Sequence, residues 1–339
     1  MSKKNKSARV KLIANPDAGK ASESADNLKL VIGYLGINGL KADVALAKPK
    51  GKATPIARQA AKDGYKVVIA MGGDGAVEAV MRGLIGSKVR LGIIPTGTEN
   101  NISKSLGIPQ DLEKACALIT SNNCIKLDVG QVTTKKGKKI PFFEMAAVGL
   151  SAALYPDATR TDGGKLSSIK GAAPTLIHQE ASPKVTLTLD DKSKIEVDTL
   201  LVMVSNTQVF GRKFLLAPNP LLEAGLLDIS VYQDFGKAEL LGYYAKVMDG
   251  GYSGAGNVQR YQARKLKVKS SPKMKLMADG VKLGKGTVTI KMRPNALRVI
   301  SVQKPGQPTM QKDGAEFTSI PVSSVVRKNH QEKIQAGSN

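Results

Sequence analysis

Apolar residues in this chain fall into short runs broken by polar turns, and the period of those runs changes once, near residue 124. Before that point, runs of strand length alternate with segments of helical period. Residues 8–15 carry Val10, Leu12 and Ile13 and predict a first strand. Residues 22–36 set Leu28, Val31, Ile32 and Leu35 on one face of a helix. A second strand at 42–47 precedes a helix that opens at Thr54-Pro55-Ile56, with Thr54 as N-cap and Pro55 at the first position, and ends near Gly64. The continuous apolar run 66–71 reads as a buried strand, 76–85 as a helix, 89–94 as a fourth strand and 111–120 as another helix. Strands alternating with helices predict a layered α/β domain on a parallel sheet.

Beyond Cys124 the pattern is one of strands. Residues 125–134 and 139–148 predict a hairpin joined by a Lys/Gly turn. Short β-branched runs follow at 184–189, 195–205, 225–232, 264–270, 273–278, 287–292 and 296–302. One helix is expected at 237–248, with Leu240, Leu241, Tyr244 and Val247 on one face, and 151–180 is a mixed segment with helical character. Runs of strands predict a second, mostly antiparallel β domain. The expected organisation is therefore an α/β domain over 8–124, a β domain over 125–302 and a polar tail over 303–339, in which 317–326 is apolar enough to pack back on the first domain. A cleft between the two domains is the default ligand site.

Three turns carry the chemistry. Gly72-Gly73-Asp74-Gly75 joins the buried strand to its helix. Asn15-Pro16-Asp17-Ala18-Gly19-Lys20 follows the first strand, and Pro95-Thr96-Gly97-Thr98-Glu99-Asn100-Asn101 follows the fourth. In a parallel sheet all three lie beyond the carboxyl ends of strands, where ligands bind. A glycine-rich turn at a helix N-terminus offers backbone N–H groups and a positive dipole end to phosphate. Asp74 does not serve a bare phosphate, which it repels. Its presence points to orienting a metal, a ribose or a nucleophilic hydroxyl; the bland alternative is a solvated acid in an ordinary turn.

Composition narrows the partners. The 339 residues can bury two cores, and 51 Lys+Arg against 28 Asp+Glu give a net charge of +23. Such an excess favours anionic partners: nucleic acid, phosphorylated metabolites or an anionic membrane. Basic residues are densest at Lys3-Lys4-Asn5-Lys6, Lys135-Lys136-Gly137-Lys138-Lys139 and 264–275. With aromatics at 4% and no Trp, base stacking has few platforms, so nucleic acid is not expected. Cys116 and Cys124 do not make a disulfide framework, and a reduced, cytoplasmic setting is expected. His178 and His330 are the only histidines, which excludes a His-rich metal site. No 18-residue apolar run and no secretory leader are present, so membrane contact is expected to be peripheral.

Taken in order, Asn15-Pro16, Ala18-Gly19-Lys20, Gly72-Gly73-Asp74-Gly75, 91–100 with its Pro95-Thr96-Gly97-Thr98 turn, and Leu106-Gly107-Ile108-Pro109 resemble the diacylglycerol kinase catalytic-domain family. That family includes bacterial soluble lipid kinases and sphingosine kinases. Ala217-Pro218-Asn219-Pro220, Gly225-Leu226-Leu227-Asp228, Asp279-Gly280 and 294–299 continue the likeness, which spans about residues 8–302. The resemblance implies an α/β nucleotide domain of the phosphofructokinase/NAD kinase type, a C-terminal antiparallel β-sandwich domain and a cleft between them. It implies transfer of the ATP γ-phosphoryl group to a lipid hydroxyl, such as that of diacylglycerol or a long-chain base, with Mg²⁺ and a carboxylate to take the hydroxyl proton. By position, Asn15 and Gly19 approach the phosphates, Gly72, Gly73, Asp74 and Gly75 underlie the nucleotide, and Thr98, Asn100 and Asn101 line the same pocket. Asp74 and Asp279 are the expected catalytic carboxylates.

Several acids depart from the family pattern. Ala76 stands where Thr is usual, and Glu78-Ala79 where Asn-Glu is usual. Asn101 replaces an Asp. Glu223-Ala224-Gly225 replaces an Asp-Asp-Gly segment used near a metal, leaving Glu223 and Asp228 as weak metal candidates. Val281 replaces the Glu of an Asp-Gly-Glu motif and cannot accept a proton. The alternative to an active kinase is therefore an impaired member that binds a nucleotide or lipid as a regulatory protein.

Overall fold

The computed structural model describes residues 8–15, 21–48, 52–121, 123–150, 182–206, 209–210, 214–215, 225–233, 236, 239 and 258–302. Strands β1 (Ala8–Ala14), β2 (Leu40–Leu46), β3 (Val67–Gly72) and β4 (Arg90–Pro95) alternate with helices α1 (Ala21–Ile37), α2 (Ala53–Lys62), α3 (Asp74–Leu84), α4 (Asn101–Ser105) and α5 (Leu112–Leu118). The strands pair in parallel in the order β2-β1-β3-β4. Every residue of β3 is buried, which accounts for its unbroken apolar run. On one face Val68, Ala70, Leu91 and Ile93 pack with Ala57, Val77, Val80 and Leu84 of α2 and α3. On the other, Leu12, Ile69 and Met71 pack with Val31 and Leu35 of α1 and Cys116 of α5. The result is three layers, helix–sheet–helix.

The strands that follow are β5 (Cys124–Thr134), β6 (Lys139–Phe142), β7 (Met145–Gly149), β8 (Lys184–Leu189), β9 (Ser193–Ser205), β10 (Val209–Phe210), β11 (Phe214–Leu215), β12 (Leu227–Gln233), β13 (Val258–Ala263), β14 (Lys265–Ser271), β15 (Lys275–Ala278), β16 (Val281–Lys285) and β17 (Val288–Ile300). They pair antiparallel and form a sandwich. Leu187, Leu266, Val268 and Ile290 from one layer meet Ala146, Val202, Val204, Ile229 and Val231 from the other. Two long strands tie the layers together. The first half of β9 pairs with β8 and its second half with β7 and β12. β17 pairs with β14 and β5 at its start, then with β5 and, in parallel, with β4 at its end. The parallel sheet therefore runs on into the sandwich without an edge between them.

Several elements differ from expectation. The helix predicted to have Thr54 as N-cap begins two residues earlier, at Ala53, and the Thr54 hydroxyl donates instead to the Ala79 carbonyl of α3 at 2.7 Å. The hairpin at the Lys/Gly turn forms as expected between β5 and β6. The strand predicted at 139–148 is two strands, because the backbone leaves β5 after Phe142 to join β9 and β15. Conversely, 287–292 and 296–302 form one strand with an irregularity between Arg293 and Leu297, where Asn295 turns left-handed at φ 52°. The short helix α4 went unpredicted. The segments at 151–180 and 303–339, and all but residue 239 of the helix expected at 237–248, lie outside the described residues.

Candidate functional site

The turns after β3 and β4 meet at the carboxyl ends of the parallel strands, and Asn15, the first residue after β1, meets them there. The Asn15 N–H donates to the Met71 carbonyl at 3.1 Å, and the Thr96 N–H to the Gly72 carbonyl at 3.1 Å. Gly73 and Gly97 touch backbone to backbone: a Cβ on Gly97 would lie 2.4 Å from the Gly73 Cα. Only glycine permits that approach. Gly75, by contrast, is exposed, and a Cβ there would meet nothing within 4 Å. The first turn of α3, whose leading N–H groups have no helical acceptor, thus opens onto free space at Gly75.

Asp74 is structurally engaged. Its Oδ1 accepts the Ile102 N–H at 2.9 Å and so holds the first turn of α4 against α3. Asn100, left-handed at φ 52°, closes a ring on the facing turn: its amide accepts from the Gly97 N–H at 3.0 Å and donates to the Gly97 carbonyl at 2.9 Å. Asn101 opens α4 half-buried, and Thr98 is exposed between them. Gly19 and Glu223 lie outside the described residues.

Asp279 belongs to a different element but faces the same helix. With Gly280 it makes the tight turn between β15 and β16, both residues having positive φ. Its buried carboxylate accepts three backbone N–H groups, from Phe143 at 2.8 Å, Glu144 at 3.0 Å and Met145 at 3.1 Å. Those are the residues where the chain passes from β6 to β7. Arg82 of α3 reaches the same carboxylate at 3.4 Å, pairs with Glu78 at 3.1 Å, donates to the Pro141 carbonyl at 2.7 Å and lies over the Phe143 ring. Val281 follows on β16 with half its surface exposed, so it is not a core residue.

A cluster of carboxyls results. Burial, then the charge of Asp279, pushes Glu78 up to about 8 against the pull of Arg82. Burial pushes Glu144 well above the ordinary carboxyl range, with Asp279, Glu78 and Asp74 adding to it. Burial also raises Asp279, opposed by its backbone N–H donors and Arg82. Glu144 lines a recess with Met81, Ile102, Phe143, Asp128 and Asn206. Asp128 is held by the N–H groups of Gly225 at 2.6 Å and Asn295 at 2.8 Å.

Sequence reasoning singled out neither Arg82 nor Glu144. The Glu78–Arg82 spacing of four on a helix was a readable signal. So was Glu144, the one charge within the apolar run 140–150. Asp228 accepts from Gln262 at 2.8 Å across the β12–β13 pair, and burial raises its carboxyl. Among the described residues, no group of three or more acid, His or Cys side chains could hold a metal ion. The residues described thus build no protein cage for Mg²⁺.

Residues 9–132 match the diacylglycerol kinase catalytic domain, and residues 145–301 match the YegS C-terminal NAD kinase beta sandwich-like domain. Curated proteins named probable lipid kinase YegS, from Escherichia coli O6:K15:H31 and Shigella boydii serotype 18, are each 31% identical over 223 residues, 62% of this chain and 71% of theirs. Among solved structures, a putative diacylglycerol kinase from Bacillus anthracis str. Sterne is similar at 25% identity and a TM-score of 0.68, over 87% of this chain and 98% of that one.

Proposed function

Because this chain belongs to the diacylglycerol kinase family of lipid kinases, we propose that it transfers the γ-phosphoryl group of ATP to the hydroxyl of a lipid such as a diacylglycerol or a long-chain base. The observation that carries this reading is the convergence of Asn15 and the turns after β3 and β4 at the N-terminus of α3, with open space at Gly75. There the phosphates meet backbone N–H groups and the positive end of an 11-residue helix. Asn15 and Thr98 stand at the rim. Asp74 holds the two turns in register through the Ile102 N–H, and Asn100 fixes its own turn by bonding both groups of Gly97. Fixed donors of this kind stabilise charge without reorganising during transfer.

Mg²⁺ would neutralise the phosphates; in such enzymes it is held mainly by substrate oxygens and one or two carboxylates. The protein's part is to align the lipid hydroxyl with the γ-phosphorus and to receive its proton. Lipid reaches the cleft from a membrane surface, and the charge of +23 favours an anionic one.

Incubation with Mg-ATP labelled at the γ-phosphate and vesicles carrying diacylglycerol or sphingosine tests the reading. Labelled lipid is expected from one of them, and Asp74→Ala should lower the rate at least about 100-fold by releasing α4 from α3. Failure to label any lipid while ATP still binds would overturn it.

A further inference from the structure

We propose that Glu144 is the proton acceptor of the transfer, with Asp279 and Arg82 as positioning residues that aim it. This rests on the kinase reading above.

Five carboxylates surround the end of α3 and the recess beside it, and four are already committed. Asp74 is bonded to the Ile102 N–H. Glu78 pairs with Arg82 at 3.1 Å. Asp279 spends both oxygens on three backbone N–H groups and touches Arg82. Both oxygens of Asp128 are held by backbone N–H groups. Glu144 differs. Its side chain has no hydrogen bond or ion pair among the described residues, it is 8% exposed, and it lines the recess.

Its backbone is nonetheless fixed at both ends, the N–H on Asp279 and the carbonyl on the Asn206 N–H at 2.8 Å. A carboxyl without a partner among the described residues, its backbone fixed in a buried recess, is costly to keep, and a glutamine would fill the space at lower cost. Ile102, which lines the same recess, is the residue whose N–H Asp74 holds. The recess therefore adjoins the phosphate turns. The chain break that aims Glu144 is made by Asp279, and Arg82 braces it through Pro141 and Phe143.

In the proposed step the lipid hydroxyl oxygen forms a bond to the γ-phosphorus. The bond from that phosphorus to the β–γ bridging oxygen breaks, and its electron pair leaves with ADP. The hydroxyl proton passes to the Glu144 carboxylate and then to water. Glu144 is active when ionised, and it is faced by Asp74 and Glu78 from α3, Asp279 from the β15–β16 turn and Asp128 from β5, with Arg82 held one group away on Asp279. Burial, with its negative neighbours adding to it, holds its proton on, so the rate should rise with pH through a single limb.

The test is the pH profile of kcat on lipid vesicles for wild type, Glu144→Gln, Glu144→Asp and Glu78→Gln, each checked for an intact thermal transition. Glu144→Gln should lower kcat about 100-fold or more with KM within about threefold, and should erase the limb. Glu144→Asp should recover part of the rate, and Glu78→Gln should keep the limb and move it to lower pH by removing a negative neighbour. If wild type transfers phosphate but Glu144→Gln retains its rate and its limb, the assignment falls and the kinase reading stands. A limb lost in Glu78→Gln and kept in Glu144→Gln also overturns it, in favour of Glu78. If wild type labels no lipid, the kinase reading fails and the assignment with it.

Discussion

Glu78 and Arg82 sit one helical turn apart and look like an ordinary surface pair, yet burial and Asp279 raise the Glu78 carboxyl to about 8. The ordinary glutamate value is about 4.3, so between roughly pH 4.5 and 8 the folded chain holds a proton that the unfolded chain has released. Stability from this group is therefore greatest on the acid side of that window and falls as pH rises, the reverse of a carboxylate stabilised as its anion. The slope reaches at most about 1.4 kcal/mol per pH unit for one group. Glu144 adds to it in the same direction. The melting temperature of wild type should drop between pH 5.5 and 8, and Glu78→Gln should flatten the drop. Equal slopes in wild type and variant, measured by calorimetry, would show that Glu78 is not held protonated.

The turns at the end of the parallel sheet depend on how α2 and α3 lie against each other, and Gly83 sets that contact. A Cβ there would come within 2.5 Å of the Thr54 carbonyl oxygen and 2.6 Å of the Ala57 Cβ. Gly83→Ala should therefore push the helices apart, at about 1–3 kcal/mol, and lower the urea midpoint with little change in slope. ATP affinity should weaken with it, because Asp74 starts the displaced helix; an unchanged midpoint would mean that the helix pair absorbs the methyl. This level of structure was largely legible in the sequence. Short apolar runs, broken in β4 only by Arg90, announced β3 and β4, and the glycine turns announced where they end. What sequence could not supply was long-range. Asp279 divides the predicted 139–148 strand through hydrogen bonds spanning well over 100 residues, and Asp74 calls up α4 from the far side of β4. Glu144 was not singled out, because the Asp279 that fixes its backbone lies 135 residues further along the chain. Thr54 has good capping chemistry, but its hydroxyl finds a carbonyl on α3 that local pattern does not reveal.

At the scale of the whole molecule, one sheet carries both the glycine turns and a basic outer face. Along β14, Leu266 and Val268 enter the sandwich core while Lys265, Lys267 and Lys269 alternate outward. Lys291 stands opposite Lys265 on β17, and Lys184 lies on β8 at the same face. Asp191 takes Lys265, and Glu196 takes Lys194 at 2.6 Å, which leaves Lys267, Lys269 and Lys291 exposed on the strands between. A row of lysines on a rigid sheet meets a planar anionic surface with several charges at once, at about 1 kcal/mol each near the surface. Vesicles of neutral and anionic lipid should therefore bind the protein in proportion to anionic content. The combined change Lys267→Ala, Lys269→Ala and Lys291→Ala should weaken that binding about 100-fold at low salt. Raising salt from about 0.05 to 0.5 M should erase most of the difference, because the screening length falls below the reach of the lysines. Phosphorylation of a short-chain lipid dispersed without vesicles should be untouched by the same changes, which separates docking from catalysis. Binding that survives both the three substitutions and high salt would locate the contact on an apolar surface instead.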